Sequence, residues 1–383
     1  MGLGNADLPE RLLVAACSGR MLAQSAARAG LRPVVLDLYA DSDTRGYASA
    51  CARVQSGRIG FDPSALLETA DRLAPPRLGH DLVYGSGLDI APDLLESLAL
   101  GRRVHGNSPS IARWLKTPAA FFDLLRGLDI PHPETRFEPP ADPRGWLVKP
   151  GCGEGGKGVV FCAQETRAGE DGYYQRRLTG PSMSALFLAD GDNARIIGFN
   201  TLWTASHLGQ PFLFVGAVNR ADLSPAQRQQ VGICVARLAR AVGLKGLNSL
   251  DFMLDGGICR VLEINPRPSA TLALYDADFP EGLLARHIRA CRGETRELPR
   301  AGATARAFKV VFARVDFVAN ETMIWPDWCA DHPEPGTTIR AGEPLCTIEA
   351  EGSDRREVER SIRRRAIELP SRLEFARNRE TLR

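Results

Sequence analysis

The chain has 383 residues, more than one hydrophobic core usually organises, so we expect two or three domains. Its composition, 44% hydrophobic and 25% charged, is typical of a globular protein. It contains no run of about 18 apolar residues, the length that a helix needs to cross a bilayer. The formal net charge is +2, without the concentrated positive charge that binding to a nucleic-acid backbone requires. Composition therefore disfavours membrane and nucleic-acid partners.

The amino-terminal residues and the cysteines favour a cytoplasmic protein. Residues 1–7 lack the basic and apolar segments of a secretory signal. The nine cysteines contain no Cys-x-x-Cys pair, which removes the usual zinc and redox spacings and favours reduced thiols. We therefore expect a cytoplasmic location.

Strands and helices alternate in the first third of the chain. This order is typical of a parallel sheet, and it predicts a small α/β domain over residues 1–108. A new helix is predicted to begin at Asn107-Ser108-Pro109. The predicted strands are 11–17, 34–38, 81–84 and 103–105. One predicted helix ends near Ala29, and another covers about 94–100.

From residue 109 the pattern changes to α+β, and we predict a second domain over residues 109–300. A helix is predicted over 224–242, because Ser224-Pro225 is a good capping pair. Residues 301–383 are predicted to form a short β-rich unit followed by a charged helix at about 354–367. The predicted strands of the second domain are 146–149, 158–163, 184–189, 195–203, 248–254 and 258–264.

A turn at residues 255–257 predicts a hairpin. With a three-residue turn, Asp251 pairs with Val261, and Glu263 becomes its diagonal neighbour at roughly 7–8 Å. Side chains alternate between the two faces of a strand. One face of this hairpin is predicted to carry the apolar residues Phe252, Leu254, Leu262 and Ile264.

The opposite face carries Asp251, Glu263, Asn265 and Arg267. Two carboxylates that close would repel each other unless a cation lies between them. Oxygen ligands of this kind suit Mg²⁺ bound together with phosphates. The hairpin therefore predicts a magnesium site at Asp251, Glu263 and Asn265, with Mn²⁺ as an alternative ion and a solvated charged face as the alternative interpretation.

A glycine-rich loop follows the predicted strand that ends at Lys149. Glycines let backbone N–H groups approach phosphate oxygens, and a lysine supplies a positive charge. The loop is not a Walker A motif, because Lys157 precedes a glycine and a strand rather than Ser or Thr and a helix. A phosphate-binding loop and an ordinary hairpin turn both fit. Its glycines are Gly151, Gly153, Gly155, Gly156 and Gly158.

Together these segments resemble the ATP-grasp superfamily over about residues 110–275. The resemblance implies an ATP-grasp fold with a Rossmann-like pre-grasp domain before it and a small carboxyl-terminal β-rich unit after it. It implies that Lys116 and Lys149, two of only five lysines in the chain, contact ATP phosphates with the glycine loop and Lys157. It also implies that Gln175 and Leu178 contact the adenine.

The resemblance further implies a reaction. Asp251, Glu263 and Asn265 would be the metal ligands, and Arg267 and Lys149 would be catalytic, with Arg267 steadying an acyl phosphate. The implied activity is an ADP-forming ligation of a small carboxylate to a small amine, with ATP and Mg²⁺ as cofactors. The sequence leaves a homo-oligomer open.

The branch of the superfamily is indicated by residues 263–271, 18–20 and 37–43, which resemble carboligases near the tyramine–glutamate ligases. That resemblance implies addition of glutamate or a similar amino acid in cofactor biosynthesis. Two alternatives stay open: a bicarbonate-dependent ATP-grasp carboxylase, and a nucleotide-binding protein without chemistry.

Four further sites are weaker candidates. Residues 85–87 and 41–43 would contact the acceptor substrate, but ordinary strand-end loops are the favoured interpretation. His207 would be a base, or a histidine without a role. Ser182 stands where many members of the superfamily carry a ribose-binding glutamate.

Overall fold

The computed structural model describes residues 8–294 and 302–378. The predicted boundary at residues 300–301 lies outside the described residues, and the division into three domains stays a prediction. None of the helices in the described ranges is long and apolar enough to cross a membrane.

The first sheet is five-stranded and parallel, which confirms the α/β prediction for this part of the chain. Neighbouring residues of its first strand enter different cores, Val14 with Leu22 and Leu13 with Leu66 and Leu95, so helices cover both faces. The strands are β1 (Leu12–Ala15), β2 (Val34–Asp37), β3 (Ala50–Arg53), β4 (Asp81–Tyr84) and β5 (Val104–His105), in the order β3-β2-β1-β4-β5. The helices are α1 (Arg20–Arg28), α2 (Ser42–Tyr47), α3 (Pro63–Leu73) and α4 (Pro92–Ala99).

Two short helices, α5 (Pro109–Leu115) and α6 (Pro118–Gly127), lead to a small antiparallel sheet. The Ser108 side chain accepts a hydrogen bond from the backbone N–H of Ile111, as the predicted helix start requires. The small sheet has the order β6-β9-β7-β8. Its strands are β6 (Thr135–Arg136), β7 (Trp146–Lys149), β8 (Val160–Phe161) and β9 (Tyr173–Arg176).

A large antiparallel sheet of eight strands crosses the rest of the molecule. Its order is β14-β13-β10-β11-β12-β15-β19-β17, with bounds β10 (Ser182–Asp190), β11 (Ala194–His207), β12 (Gln210–Val218), β13 (Lys245–Asp255), β14 (Ile258–Asn265), β15 (Ala305–Phe312), β17 (Cys329–Ala330) and β19 (Pro344–Gly352). The two remaining strands, β16 (Phe317–Val318) and β18 (Thr338–Ile339), pair only with each other among the described residues. Three strands of the predicted carboxyl-terminal unit therefore continue the large sheet.

Three further helices pack against this sheet: α7 (Pro225–Val242), α8 (Gly282–Cys291) and α9 (Arg355–Asn378). A complete capping box at Ser224 and Gln227 begins α7, and Gly243, at a φ of 72°, ends it. Apolar residues of α6 and α7 and of strands β10, β13 and β14 form one shared core. That core fixes the strands on which the predicted metal ligands lie.

The β13–β14 hairpin differs from its prediction in two ways. Its turn has two residues, Gly256 and Gly257, at φ values of 57° and 82°, so the predicted three-residue turn is wrong. A bulge after Asp251 then shifts the register, and Asp251 lies directly opposite Glu263 instead of diagonal to it.

The same bulge changes which apolar side chains enter the core. Val261 and Ile264 lie in the core, whereas Leu262, predicted to share the face of Ile264, lines the cavity described below. The extra residue in β14 breaks the strict alternation on which the prediction relied.

Candidate active site

A cavity of about 680 Å³ lies between the small sheet and the large sheet, and loops of the parallel sheet close one side of it. Thirteen of the fourteen predicted site residues line this cavity. They are Lys116, Lys149, Gly151, Gly153, Gly155, Gly156, Lys157, Gln175, Leu178, Asp251, Glu263, Asn265 and Arg267.

The fourteenth predicted residue, Gly158, does not line the cavity. Its backbone N–H instead donates to Gln210 Oε1 at 2.7 Å, so that group is already engaged by the β12 strand. In this structure Gly158 fastens one end of the glycine loop to the large sheet.

Asp251 and Glu263 face each other across β13 and β14. Burial and the nearby Glu263 carboxylate raise the pKa of Asp251 well above its usual value. Asn265 Nδ2 donates to Asp251 Oδ2 at 3.2 Å. The two opposed carboxylates supply oxygen ligands that fit Mg²⁺, and Asn265 could add its Oδ1, which here accepts a hydrogen bond from Lys116.

No group of three or more His, Cys, Asp or Glu side chains suited to a metal ion occurs in the described part of the chain. A cation held by Asp251, Glu263 and Asn265 would therefore need further oxygen ligands. Phosphate oxygens and water are the usual additional ligands of Mg²⁺.

Lys116 lies at the end of α5, with its ammonium group turned towards this acidic set. Its Nζ donates to Asn265 Oδ1 at 3.1 Å and lies 3.9 Å from Glu263 Oε2 and 3.5 Å from Asp89 Oδ2. Burial alone would lower the pKa of Lys116, but the carboxylates of Glu263 and Asp89 raise it above its usual value. Lys116 is therefore held as a buried cation at the cavity wall.

Arg267 follows β14, and two carboxylates from different parts of the chain bind its guanidinium group. Its Nε donates to Asp89 Oδ1 at 3.2 Å, and its Nη2 donates to Glu154 Oε1 at 2.8 Å. Burial opposes the charge, but Asp89 and Glu154 together raise the pKa of Arg267. The guanidinium thus stays charged and fixed in orientation.

Lys149 has a neutral hydrogen-bond partner. At the end of β7, its Nζ donates to Gln175 Oε1 at 2.7 Å, and Gln175 Nε2 donates to Thr135 Oγ1. Burial lowers the pKa of Lys149. An anionic ligand at this side of the cavity would favour the charged form of Lys149.

The glycine loop is docked against β12. The backbone N–H of Phe214 donates to Gly155 O at 2.8 Å. A Cβ added at Gly156, where φ is 78°, would lie 2.0 Å from the Phe212 carbonyl oxygen. The close approach of two backbones and the left-handed conformation both require glycine at 156.

Of the weaker sequence candidates, some line the cavity and others lie away from it. Ser86 and Ser182 line the cavity, whereas His207 does not. His207 Nε2 hydrogen-bonds Gly342 O, and its ring packs against Phe312 with centroids 4.1 Å apart. Asp43 binds the backbone N–H groups of residues 331 and 332 and likewise does not line the cavity.

Asp89 and Glu154 are two residues of this site that the sequence did not single out. Glu154 is the only acid within the glycine loop, and that position was a usable signal. Asp89 follows the Gly85-Ser86-Gly87 turn at the carboxyl end of β4. Its contact with Arg267 joins positions 178 residues apart, which a single sequence does not indicate.

Comparisons with known proteins find a domain match in the part of the chain that carries most of these residues. An ATP-grasp domain model matches residues 119–271. The arginine-specific large chain of carbamoyl phosphate synthase from Geobacillus stearothermophilus is 24% identical over 238 residues, which are 57% of this chain and 22% of that protein. The chain thus spans about a fifth of the length of this curated relative.

Solved structures show the same fold. A biotin carboxylase from Campylobacter jejuni superposes with a TM-score of 0.72 at 13% identity, covering 94% of this chain and 91% of its own. An L-amino acid ligase from Bacillus licheniformis gives a TM-score of 0.66 at 14% identity, covering 93% and 96%. The domain match and the shared fold confirm the resemblance seen in the sequence, and residues 119–271 match an ATP-grasp domain.

Proposed function

We propose that the protein is an ATP-dependent, ADP-forming carboxylate–amine ligase that works through an acyl phosphate. One observation carries this proposal. Lys116, Arg267 and the Asp251–Glu263 pair, which lie far apart in the sequence, meet at one cavity wall beneath a glycine loop. Such a site gathers positive charge and oxygen ligands around one place, as phosphoryl transfer requires.

The residues divide the work by their chemistry. Lys116 and Lys149 would bind phosphate oxygens of ATP as point charges, and backbone N–H groups of the loop would assist them. Gln175 and Leu178 would lie beside the base. Mg²⁺ bound by Asp251, Glu263 and Asn265 would neutralise phosphate charge.

Arg267 would orient the substrate carboxylate, because a planar guanidinium can bind a carboxylate through two parallel hydrogen bonds. In this structure Glu154 occupies one side of that guanidinium. The substrate carboxylate would take the place of Glu154, so its arrival is coupled to the position of the glycine loop.

The proposed reaction has two steps. An oxygen of the substrate carboxylate attacks the γ-phosphorus of ATP, and ADP leaves. The amine nitrogen then attacks the carbonyl carbon of the acyl phosphate, an amide forms, and inorganic phosphate and a proton leave. Lys116 and Arg267 would stabilise the charge on the transferring phosphoryl group. Bicarbonate, the substrate in the carboxylase alternative, would be bound and activated by the same two side chains.

The experiment is a screen of pooled amino acids, including glutamate, and amines for ATP turnover, with separate arms for Mg²⁺, for EDTA and for added bicarbonate. We expect turnover that requires Mg²⁺, one carboxylate and one amine, with ADP as the nucleotide product. Turnover that depends on bicarbonate would favour the carboxylase instead. Binding of Mg·AMP-PNP without turnover in any pool would favour a protein that binds nucleotide without chemistry.

A further inference from the structure

Asp89 is a buried acid for which the proposed reaction has no role. It follows β4 at the carboxyl end of the parallel sheet, and its side chain is 0% exposed. The loop before it is held by a hydrogen bond from Cys17 N to Ser86 O at 2.9 Å. Gly87, at a φ of 88°, packs so closely that an added Cβ would lie 2.4 Å from Cys17 Sγ. The parallel sheet therefore fixes where this carboxylate sits.

The Asp89 carboxylate lies between two of the cationic side chains of the site, Arg267 and Lys116. Oδ1 accepts from Arg267 Nε at 3.2 Å, and Oδ2 lies 3.5 Å from Lys116 Nζ. That second oxygen is buried and has no hydrogen-bond partner in the part of the chain that the structure describes. Its remaining interaction is with the charge of Lys116.

Without Asp89, the two cations would disfavour each other. Both positive groups lie within 3.5 Å of the one Asp89 carboxylate, so they are buried close to each other with this single negative charge between them. An opposite charge placed between two like charges allows both to be buried close together. Glu154 also binds Arg267, but from the glycine loop, so its contact depends on where that loop lies.

We propose that Asp89 is a positioning residue that holds Arg267 and Lys116 together so that both meet the transferring phosphoryl group. The inference rests on the proposed function, because it assumes that these two cations bind the reacting anions. Asp89 itself would bind neither ATP nor the carboxylate; it would act through the orientation of Arg267 and Lys116, which it contacts. It also connects the parallel sheet to the chemistry, since the two cations come from α5 and from the end of β14.

The test uses acetyl phosphate, because it is a defined acyl phosphate that does not depend on knowing the natural carboxylate. In this reverse step the phosphorus–oxygen bond to acetate breaks, a phosphorus–oxygen bond to the terminal phosphate of ADP forms, and ATP and acetate are produced. For Asp89→Asn we expect kcat to fall by about 100-fold, because a small misplacement of catalytic groups is costly in the transition state. The Kd for Mg·AMP-PNP should stay within about threefold, since ground-state binding retains both lysines.

A matched control is Asp276→Asn. Asp276 is another buried aspartate paired with an arginine, at 2.9 Å from Arg28 Nε, but Arg28 does not line the active-site cavity, whereas Arg267 does. That variant should lose thermal stability and keep its kcat. If Asp89→Asn does not fold, Asp89→Glu serves instead: it keeps the charge but moves it by one methylene, and we expect kcat to fall about tenfold at unchanged Kd.

The outcomes separate the two claims. If the wild type makes ATP from acetyl phosphate and Asp89→Asn, or Asp89→Glu in its place, keeps the wild-type kcat, the positioning role is overturned and the proposed function stands. An equal loss of kcat in Asp276→Asn would also overturn it, because the effect would then reflect general destabilisation. A wild type that makes no ATP would overturn the proposed function, and the inference with it.

Discussion

Glu263 and Asp251 are the side chains whose geometry bears most directly on metal binding. The two side chains lie opposite each other in the β13–β14 pairing. Glu263→Gln removes one formal charge from the site without a change of volume. We expect the Mg²⁺-dependent affinity for AMP-PNP to fall at least about tenfold and turnover to fall by about 100-fold or more. The melting temperature should not fall, because the Glu263 carboxylate disfavours the charged form of the buried Asp251.

Asp251→Asn should behave in the same way, and Glu96→Gln is the control. Glu96→Gln is the same substitution at an exposed position: the Glu96 side chain lies on α4 and is 63% exposed. Titrations of Mg²⁺ against a fixed concentration of AMP-PNP compare the three variants. An unchanged magnesium dependence in both site variants would contradict the metal assignment.

His287 makes the stability of the fold depend on pH. It is fully buried on α8; its Nδ1 accepts from the backbone N–H of Leu247, and its Nε2 donates to His105 O. Burial lowers its pKa from 6.5 to about 4. In the unfolded chain the imidazole binds a proton at a higher pH than in the folded one, so acid favours unfolding.

We therefore expect the free energy of unfolding to decrease as the pH falls from about 6.5 to 4, by up to about 3 kcal/mol from this group. Urea unfolding of wild type and His287→Gln at several pH values measures it. The wild type should lose more stability than the variant across this window. Parallel curves for the two proteins would show that His287 does not titrate in this way.

The glycine loop and the β11–β12 hairpin meet through their backbones, and this contact can be tested separately from the chemistry. Gly156→Ala places a Cβ against the Phe212 carbonyl oxygen and also requires a left-handed alanine. We expect the loop to move away from β12 and the affinity for Mg·AMP-PNP to fall at least about fivefold, because the loop covers the phosphates in the proposed complex.

Gly209→Ala is the matched control for that variant. Gly209 has a φ of 76°, almost the same as Gly156, but an added Cβ there meets no atom within 4 Å. It should cost about 1 kcal/mol of stability and leave nucleotide binding unchanged. Equal affinities in the two variants would mean that docking of the loop does not contribute to nucleotide binding.

Strongly patterned elements could be predicted from the sequence, and weakly patterned ones could not. The apolar runs at β4 and β7 and the capping pair before α7 gave bounds that match the structure closely. Strand β12 was not predicted; five of its nine residues are only half-buried. The β14 bulge was missed because alternation assumes that each residue has one partner across the strands.

The active site depends on all three larger sheets, and this explains which residues the sequence could indicate. Lys149 and the glycines come from the small sheet, and Asp251, Glu263 and Asn265 come from the large one. Each of these groups lies within a short, recognisable segment. Asp89 comes from the parallel sheet and reaches the site only through tertiary packing, so local patterns carry no sign of it.

The central claim is that the carboxylate is activated by ATP as an acyl phosphate. Transfer of ¹⁸O tests this most directly: the carboxylate identified by the screen is labelled in both oxygens, and the phosphate released during turnover is analysed by mass spectrometry. Attack of the carboxylate on the γ-phosphorus predicts one labelled oxygen in each inorganic phosphate, with ADP as the nucleotide product. Label in AMP, or inorganic phosphate without label, would contradict the account.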